Sequence, residues 1–241
     1  MTTSAITFYG TTIGKKVAMA VSGLVVVGWL LAHMLGNVTI FAGREAVNHY
    51  AALLAENPAL LWGQRFVVLA ALGTHVHAAL SLLAHNNSAR PVAYSRRKDL
   101  ATNYAALTMK YGGITLLLYL GYHLAHLTLG VSGAPFVKGD VYNNLVLGFQ
   151  NPLIAGFYVL AQCALGMHLF HGVWSLTQTL GLEHPKYNPL RKQVAIGLTG
   201  LIVGGFLSIP IAVQAGILQP VDGGAQVVEE VIEVIEEGSQ P

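Results

Sequence analysis

The sequence predicts an all-α integral membrane bundle of five transmembrane helices. Two features of composition carry that prediction, and a third concerns arrangement. Hydrophobic residues make up 54% of the 241-residue chain and charged residues only 10%, where a soluble domain carries about 25% charge. The mean hydropathy is +0.55. The charges gather in short stretches, and between them lie five apolar windows of the ~18–20 residues that cross a bilayer.

The windows fall at residues 15–41, 62–86, 104–130, 152–181 and 194–216. All are long for a span, so tilt or extension beyond the bilayer is expected. The first exceeds the short apolar core of a signal peptide and has no cleavage pattern behind it, so it is expected to be retained. Asn57-Pro58 and Asn151-Pro152 stand before the second and fourth windows, where proline fits the first helical turn. Ser132-Gly133-Ala134-Pro135 closes the third, and His184-Pro185 with Asn188-Pro189 separates the fourth from the fifth. Neither an internal repeat nor a second folded domain is evident. Residues 1–221 are expected to form one domain, followed by an acidic tail over 222–241. The Val-Val-Glu-Glu-Val-Ile-Glu-Val-Ile-Glu-Glu run of that tail can form a short amphipathic helix suited to a neighbouring protein surface, or a solvated end.

Basic residues set the orientation. With five crossings, one side holds Lys15, Lys16, Arg90, Arg96, Arg97, Lys98, Lys110, Lys186, Arg191 and Lys192, and the other keeps Arg44, Arg65 and Lys138. The positive-inside rule then puts the N-terminus in the cytoplasm and the C-terminus outside. Cys163 is the single cysteine. It can form no internal disulfide and cannot supply the thiolates of an iron–sulfur cluster, so any such cluster would have to belong to another chain.

Ten histidines are present, and seven fall well inside the windows: His33, His75, His77, His123, His126, His168 and His171. His85 ends the second, while His49 and His184 are expected in loops. One intramembrane histidine can simply bond a neighbouring helix; seven on four successive helices ask for a function. His33 and His123 lie late in outward-running helices, hence in the outer half. His77 and His168 lie late in inward-running ones, hence in the inner half. Two facing imidazoles per layer would clamp a haem iron from both sides, as cofactor sites in helix bundles are built. Zinc would want three or four ligands, often with carboxylate or thiolate, and no Asp or Glu falls in any window. Gly36, Gly73, Gly121 and Gly172 lie close to these histidines and would give a flat macrocycle room. Within the pairs His75/His77, His123/His126 and His168/His171, spacing leaves the ligand open. The other member can bond a haem propionate, bind quinone or pack.

Four stretches carry a family resemblance. They are Ser22-Gly23 through His33-Met34-Leu35-Gly36-Asn37, His77-Ala78-Ala79-Leu80, Tyr122-His123-Leu124-Ala125-His126, and His168-Leu169-Phe170-His171-Gly172-Val173-Trp174, with the loop Ala89-Arg90-Pro91-Val92-Ala93-Tyr94. Over roughly residues 10–182 they resemble the cytochrome b subunit of succinate dehydrogenases and fumarate reductases, of the single-chain, five-helix, dihaem b558 type. The resemblance implies two haems b with His33, His77, His123 and His168 as axial ligands of their irons. It pairs His33 with His123 (outer) and His77 with His168 (inner), the latter set before Gly172 and Trp174.

The resemblance further implies a role in the bacterial cytoplasmic membrane. A flavoprotein subunit would oxidise succinate or reduce fumarate, and an iron–sulfur subunit would relay electrons to this anchor, docking on its basic loops. The anchor would pass them to or from quinone, often menaquinone in this type, within a complex open to dimeric or trimeric assembly. The chain has no dinucleotide fingerprint or cysteine cluster for the soluble chemistry. Some relatives carry a functional acid near the outer haem, whereas here the nearest ionisable candidates for a quinone site are His49, Tyr50 and Glu56 in the outer loop. The alternatives are the anchor of another quinone-linked dehydrogenase and a haem-free transporter with a histidine relay. A quinol–cytochrome c type cytochrome pairs its histidines on two helices, a pattern this chain lacks.

Overall fold

The computed structural model describes residues 7–89, 104–131 and 135–221, and all regular structure among them is helical. The acidic tail, the Arg90–Tyr94 loop segment, Arg96, Arg97, Lys98 and the Ser132-Gly133-Ala134 break lie outside the described residues.

Seven α-helices follow in order: α1 Thr12–Val38, α2 Arg44–Ala55, α3 Pro58–Ser88, α4 Tyr104–Leu124, α5 Val141–Gln150, α6 Pro152–Thr179 and α7 Asn188–Gln214. The ends are set by chemistry legible in the chain. Thr11 accepts a hydrogen bond from the Gly14 amide (2.9 Å), and Asn57 accepts one from Leu60 (3.0 Å) ahead of Pro58. Asn151 accepts from Leu153 (2.9 Å) ahead of Pro152. Each side chain satisfies an otherwise orphaned amide, and proline loses nothing in the first turn.

Four helical stretches are long and apolar enough to cross a membrane: Thr12–Ala42, Pro58–Ser88, Pro152–Thr179 and Asn188–Gln214. Their outward faces carry large apolar side chains, such as Phe66 at 75% exposure, Leu160 at 70% and Leu201 at 56%. Water would penalise such faces and lipid welcomes them; the chain is a multi-pass membrane protein. The third expected span is α4 continued by a π-helical turn, Ala125–Leu129, and it is not among those four. Lys110, Tyr111, Tyr119, Tyr122, His123 and His126 dilute its apolar character.

Helix α1 packs on α3, α6 and α7, and α6 packs on α4 and α7. Met34 of α1 lies against Gly205 of α7, where any Cβ would collide with its sulfur.

Two connections expected as loops are helices instead. The α2 helix places His49 and Tyr50 on an ordered element, and α5 buries every residue from Tyr142 to Phe149. The physical reason is a tertiary core at this end of the bundle. Ile40, Val47, Tyr142, Leu145, Val146, Phe149, Tyr158, Ile209 and Val213 pack together there. Burying an aliphatic side chain of this kind contributes about 1.5–3 kcal/mol, enough to fix short segments that would be marginal helices alone.

Candidate functional site

Polar anchors tie this cap down. The Asp140 carboxylate accepts from Arg44 Nη2 (2.7 Å), Asn48 Nδ2 (3.0 Å) and Asn143 Nδ2 (2.7 Å), joining α2 to α5. Burial pushes the Asp140 carboxyl up, but the bonds from Arg44, Asn48 and Asn143 together outweigh it and hold it below its usual range. The same carboxylate, by hydrogen bond and by charge, raises the Arg44 guanidinium.

Beneath the cap, His33 of α1 and His123 of α4 face each other with ring centroids 6.0 Å apart. Trp29 stacks on His33 at 4.7 Å and 13°, its indole Nε1 donating to Gln64 Oε1 at 3.1 Å. Phe206 closes the other side at 5.7 Å. His123 sits in an aromatic wall of Tyr119 and Tyr158. The π-helical turn follows directly; such turns re-aim side chains and recur at functional sites. It carries His126, only 2% exposed, with Nδ1 2.9 Å from the Tyr158 hydroxyl and Nε2 without a partner. A Cβ at Gly148 of α5 would strike that Nε2. A buried polar atom without a partner costs about 1–3 kcal/mol, which the packing around His126 must offset.

Toward the other end, His168 of α6 meets His75 of α3, with centroids 6.1 Å apart and rings tilted at 59°. His75 Nδ1 lies 3.1 Å from the Met19 carbonyl, and since only a protonated Nδ1 can bond it, Nε2 keeps its lone pair. The Nδ1 atoms of His168 and His171 are buried without partners. His77 does not join this layer. Two residues along a helix turn it away, and its exposed ring stacks on Tyr9, with the Tyr9 hydroxyl 2.5 Å from Nδ1.

These residues fit a group held between two imidazoles. Imidazole nitrogens bind metal at about 2.0–2.1 Å, so two rings could share one metal at a centroid spacing of about 6 Å. Both facing pairs meet that spacing. Moreover, α1 with α4 and α3 with α6 are diagonal pairs, absent from the closely packed helix pairs among the described residues. Histidine rings meet across both diagonals. A Cβ at Gly73, Gly121 or Gly172 would meet nothing within 4 Å, in keeping with room for a macrocycle. Gly36 differs, because its missing side chain seats the Tyr50 ring of α2.

Sequence reasoning passed over Tyr158, Trp29 and Tyr9. The available signal for the first was Tyr158 and Gln162, two polar residues one turn apart in an apolar span, both now buried. Helix α2 brings Tyr50 over Gly36 but brings neither His49 nor Glu56 into contact with the histidine layers among the described contacts.

No protein-family model and no solved structure matches the chain. A curated protein does: the succinate dehydrogenase cytochrome b558 subunit of Bacillus subtilis (strain 168) is 24% identical over 162 residues, covering 66% of this chain and 76% of the relative. The similarity supports kinship with a succinate dehydrogenase cytochrome b anchor.

Proposed function

We propose that this chain is the cytochrome b membrane anchor of a succinate:quinone oxidoreductase, residues 1–221 forming one five-span dihaem domain and 222–241 a tail. Its N-terminus would lie in the cytoplasm and its C-terminus outside, with α4 and the π-helical turn as the third span. The observation that carries this is the pair of diagonal histidine contacts, His33–His123 and His75–His168, between helices that are not among the closely packed pairs of the described residues.

Haem b, when bound, supplies one-electron transfer between partner and quinone. The chain's own residues hold and orient. His33 and His123 offer one pair of imidazole nitrogens and His168 with a histidine of α3 the other. On α3 the family likeness favours His77, whereas the facing geometry and the bond to Met19 support His75. We assign His75. The Met19 carbonyl fixes its tautomer, as outer partners of metal-binding histidines do. Trp29, Phe206 and the aromatic wall keep water from the outer pair. Lys15, Lys16, Lys186 and Lys192 lie on the side where an iron–sulfur subunit would dock, delivering electrons that a flavoprotein draws from succinate, or taking them for fumarate. Menaquinone is the expected quinone, and the bacterial cytoplasmic membrane the expected location.

The test is a pyridine haemochrome assay on the complex purified from membranes, with haem b counted per chain. A ratio near two is expected. A ratio near zero removes the haem assignment and favours a histidine-lined transporter.

A further inference from the structure

The outer histidine pair has a neighbour that haem binding alone does not require. Tyr158 of α6 is only 4% exposed, and its hydroxyl lies between two imidazoles, 2.9 Å from His126 Nδ1 and 3.5 Å from His123 Nδ1. Its ring is held edge-on by Tyr119 at 5.2 Å and Phe149 at 4.8 Å. Four elements therefore hold one oxygen beside the far nitrogen of a proposed iron ligand: α4, the π-helical turn, the cap helix α5 and α6 itself.

We propose that Tyr158, held by His126, is the positioning residue that orients His123 and sets the reduction potential of the outer haem. This rests on the haem assignment above. An imidazole that gives the Nε2 lone pair to iron carries its remaining proton on Nδ1 and must donate there. The Tyr158 oxygen is the described acceptor for that proton. Its own hydrogen goes to His126 Nδ1, which places the His126 proton on Nε2, against Gly148. The chain of bonds ends at that Nε2, buried and without a partner, so it does not reach solvent. It acts on orientation and electron density and is no conduit for protons. Donation from Nδ1–H makes the imidazole a stronger electron donor and stabilises ferric iron, which lowers the potential; outer-shell bonds of this type tune metal sites generally.

The test is a redox titration of the two haems in the intact purified complex, with haem content counted first. Tyr158→Phe removes the acceptor and keeps the ring. Two haems should remain and one midpoint should rise, that of the haem lost in His123→Ala, while the other stays put. His126→Leu should raise the same midpoint by less, and His126→Asn, which keeps an acceptor near the Nδ1 position, should restore it. Two haems with both midpoints unchanged in Tyr158→Phe overturns the proposal. If Tyr158→Phe loses the outer haem, the His126 pair decides: equal midpoints in His126→Leu and His126→Asn overturn it. A wild-type complex without haem would instead remove the assignment beneath it, a distinct result.

Discussion

The two ends of this bundle solve one problem in different ways. At the outer end, His33 and His123 sit beneath a cap of two short helices, walled by tyrosine and phenylalanine and joined to Tyr158 and His126. At the inner end, His75 has a backbone partner but His168 and His171 have bare, buried Nδ1 atoms, and the hydrophobic core cluster does not extend there. At the outer end the chain's own side chains surround the histidine pair. At the inner pair, buried Nδ1 atoms have no partner among the described residues. On the proposed function, a chain that receives electrons from a soluble subunit would have reason to be built this way, with an open docking face and a far face closed by its own helices.

The largest expected effect separates the four inner histidines. His75→Ala and His168→Ala should each reduce the haem-to-chain ratio from two to one and remove the same spectral component. His77→Ala and His171→Ala should keep both haems. Loss of a haem in His77→Ala with retention in His75→Ala would restore the pairing expected from the family likeness and make the His75–His168 contact a packing feature. Loss of different haems in His75→Ala and His168→Ala would dissolve the inner site as a unit.

A smaller effect probes how tightly the outer end is specified. Gly148→Ala puts a methyl group against the His126 ring, which is buried and cannot retreat without giving up Tyr158. Overpacking of this kind costs about 1–3 kcal/mol. Lower thermal stability and a shift of the outer haem spectrum alone are expected. An unchanged variant would mean that α5 moves freely over His126.

The smallest effect concerns the Asp140 anchor. Its carboxyl has a folded pKa below the unfolded one, so its contribution to stability is present above the unfolded value. It is lost as pH falls through the folded value. Asp140→Asn should lower the thermal midpoint at neutral pH and flatten its decline in acid, with both haems retained. Equal acid sensitivity in the variant and the parent would show that Asp140 does not carry that dependence.

How far the sequence reached can be traced residue by residue. The spans were legible because a bilayer demands about 20 apolar residues, and the proline-led starts of α3 and α6 because Asn-Pro has a local meaning. That His33, His123 and His168 would meet other side chains inside the bundle was legible because a polar ring in lipid needs a partner. The α2 and α5 helices were not. Neither is long or apolar enough to announce itself, and Tyr142 to Phe149 become helical by burial against α6 and α7. Gly36 was read as space for a macrocycle, yet the space belongs to Tyr50.

By itself the sequence determined a multi-pass helical membrane chain with histidines in two layers, because hydropathy and charge act locally and add along the chain. Only the tertiary structure separated His75, which faces His168, from His77, which stacks on Tyr9. Residues two or three apart on a helix differ in azimuth, and no local rule says which azimuth meets a neighbour. That depends on where α3 stands relative to α6 and on the π-helical turn after α4. Both depend on contacts between segments far apart in the chain: His75 against the Met19 carbonyl and Gln64 against Trp29 for α3, and His126 against Tyr158 for the turn.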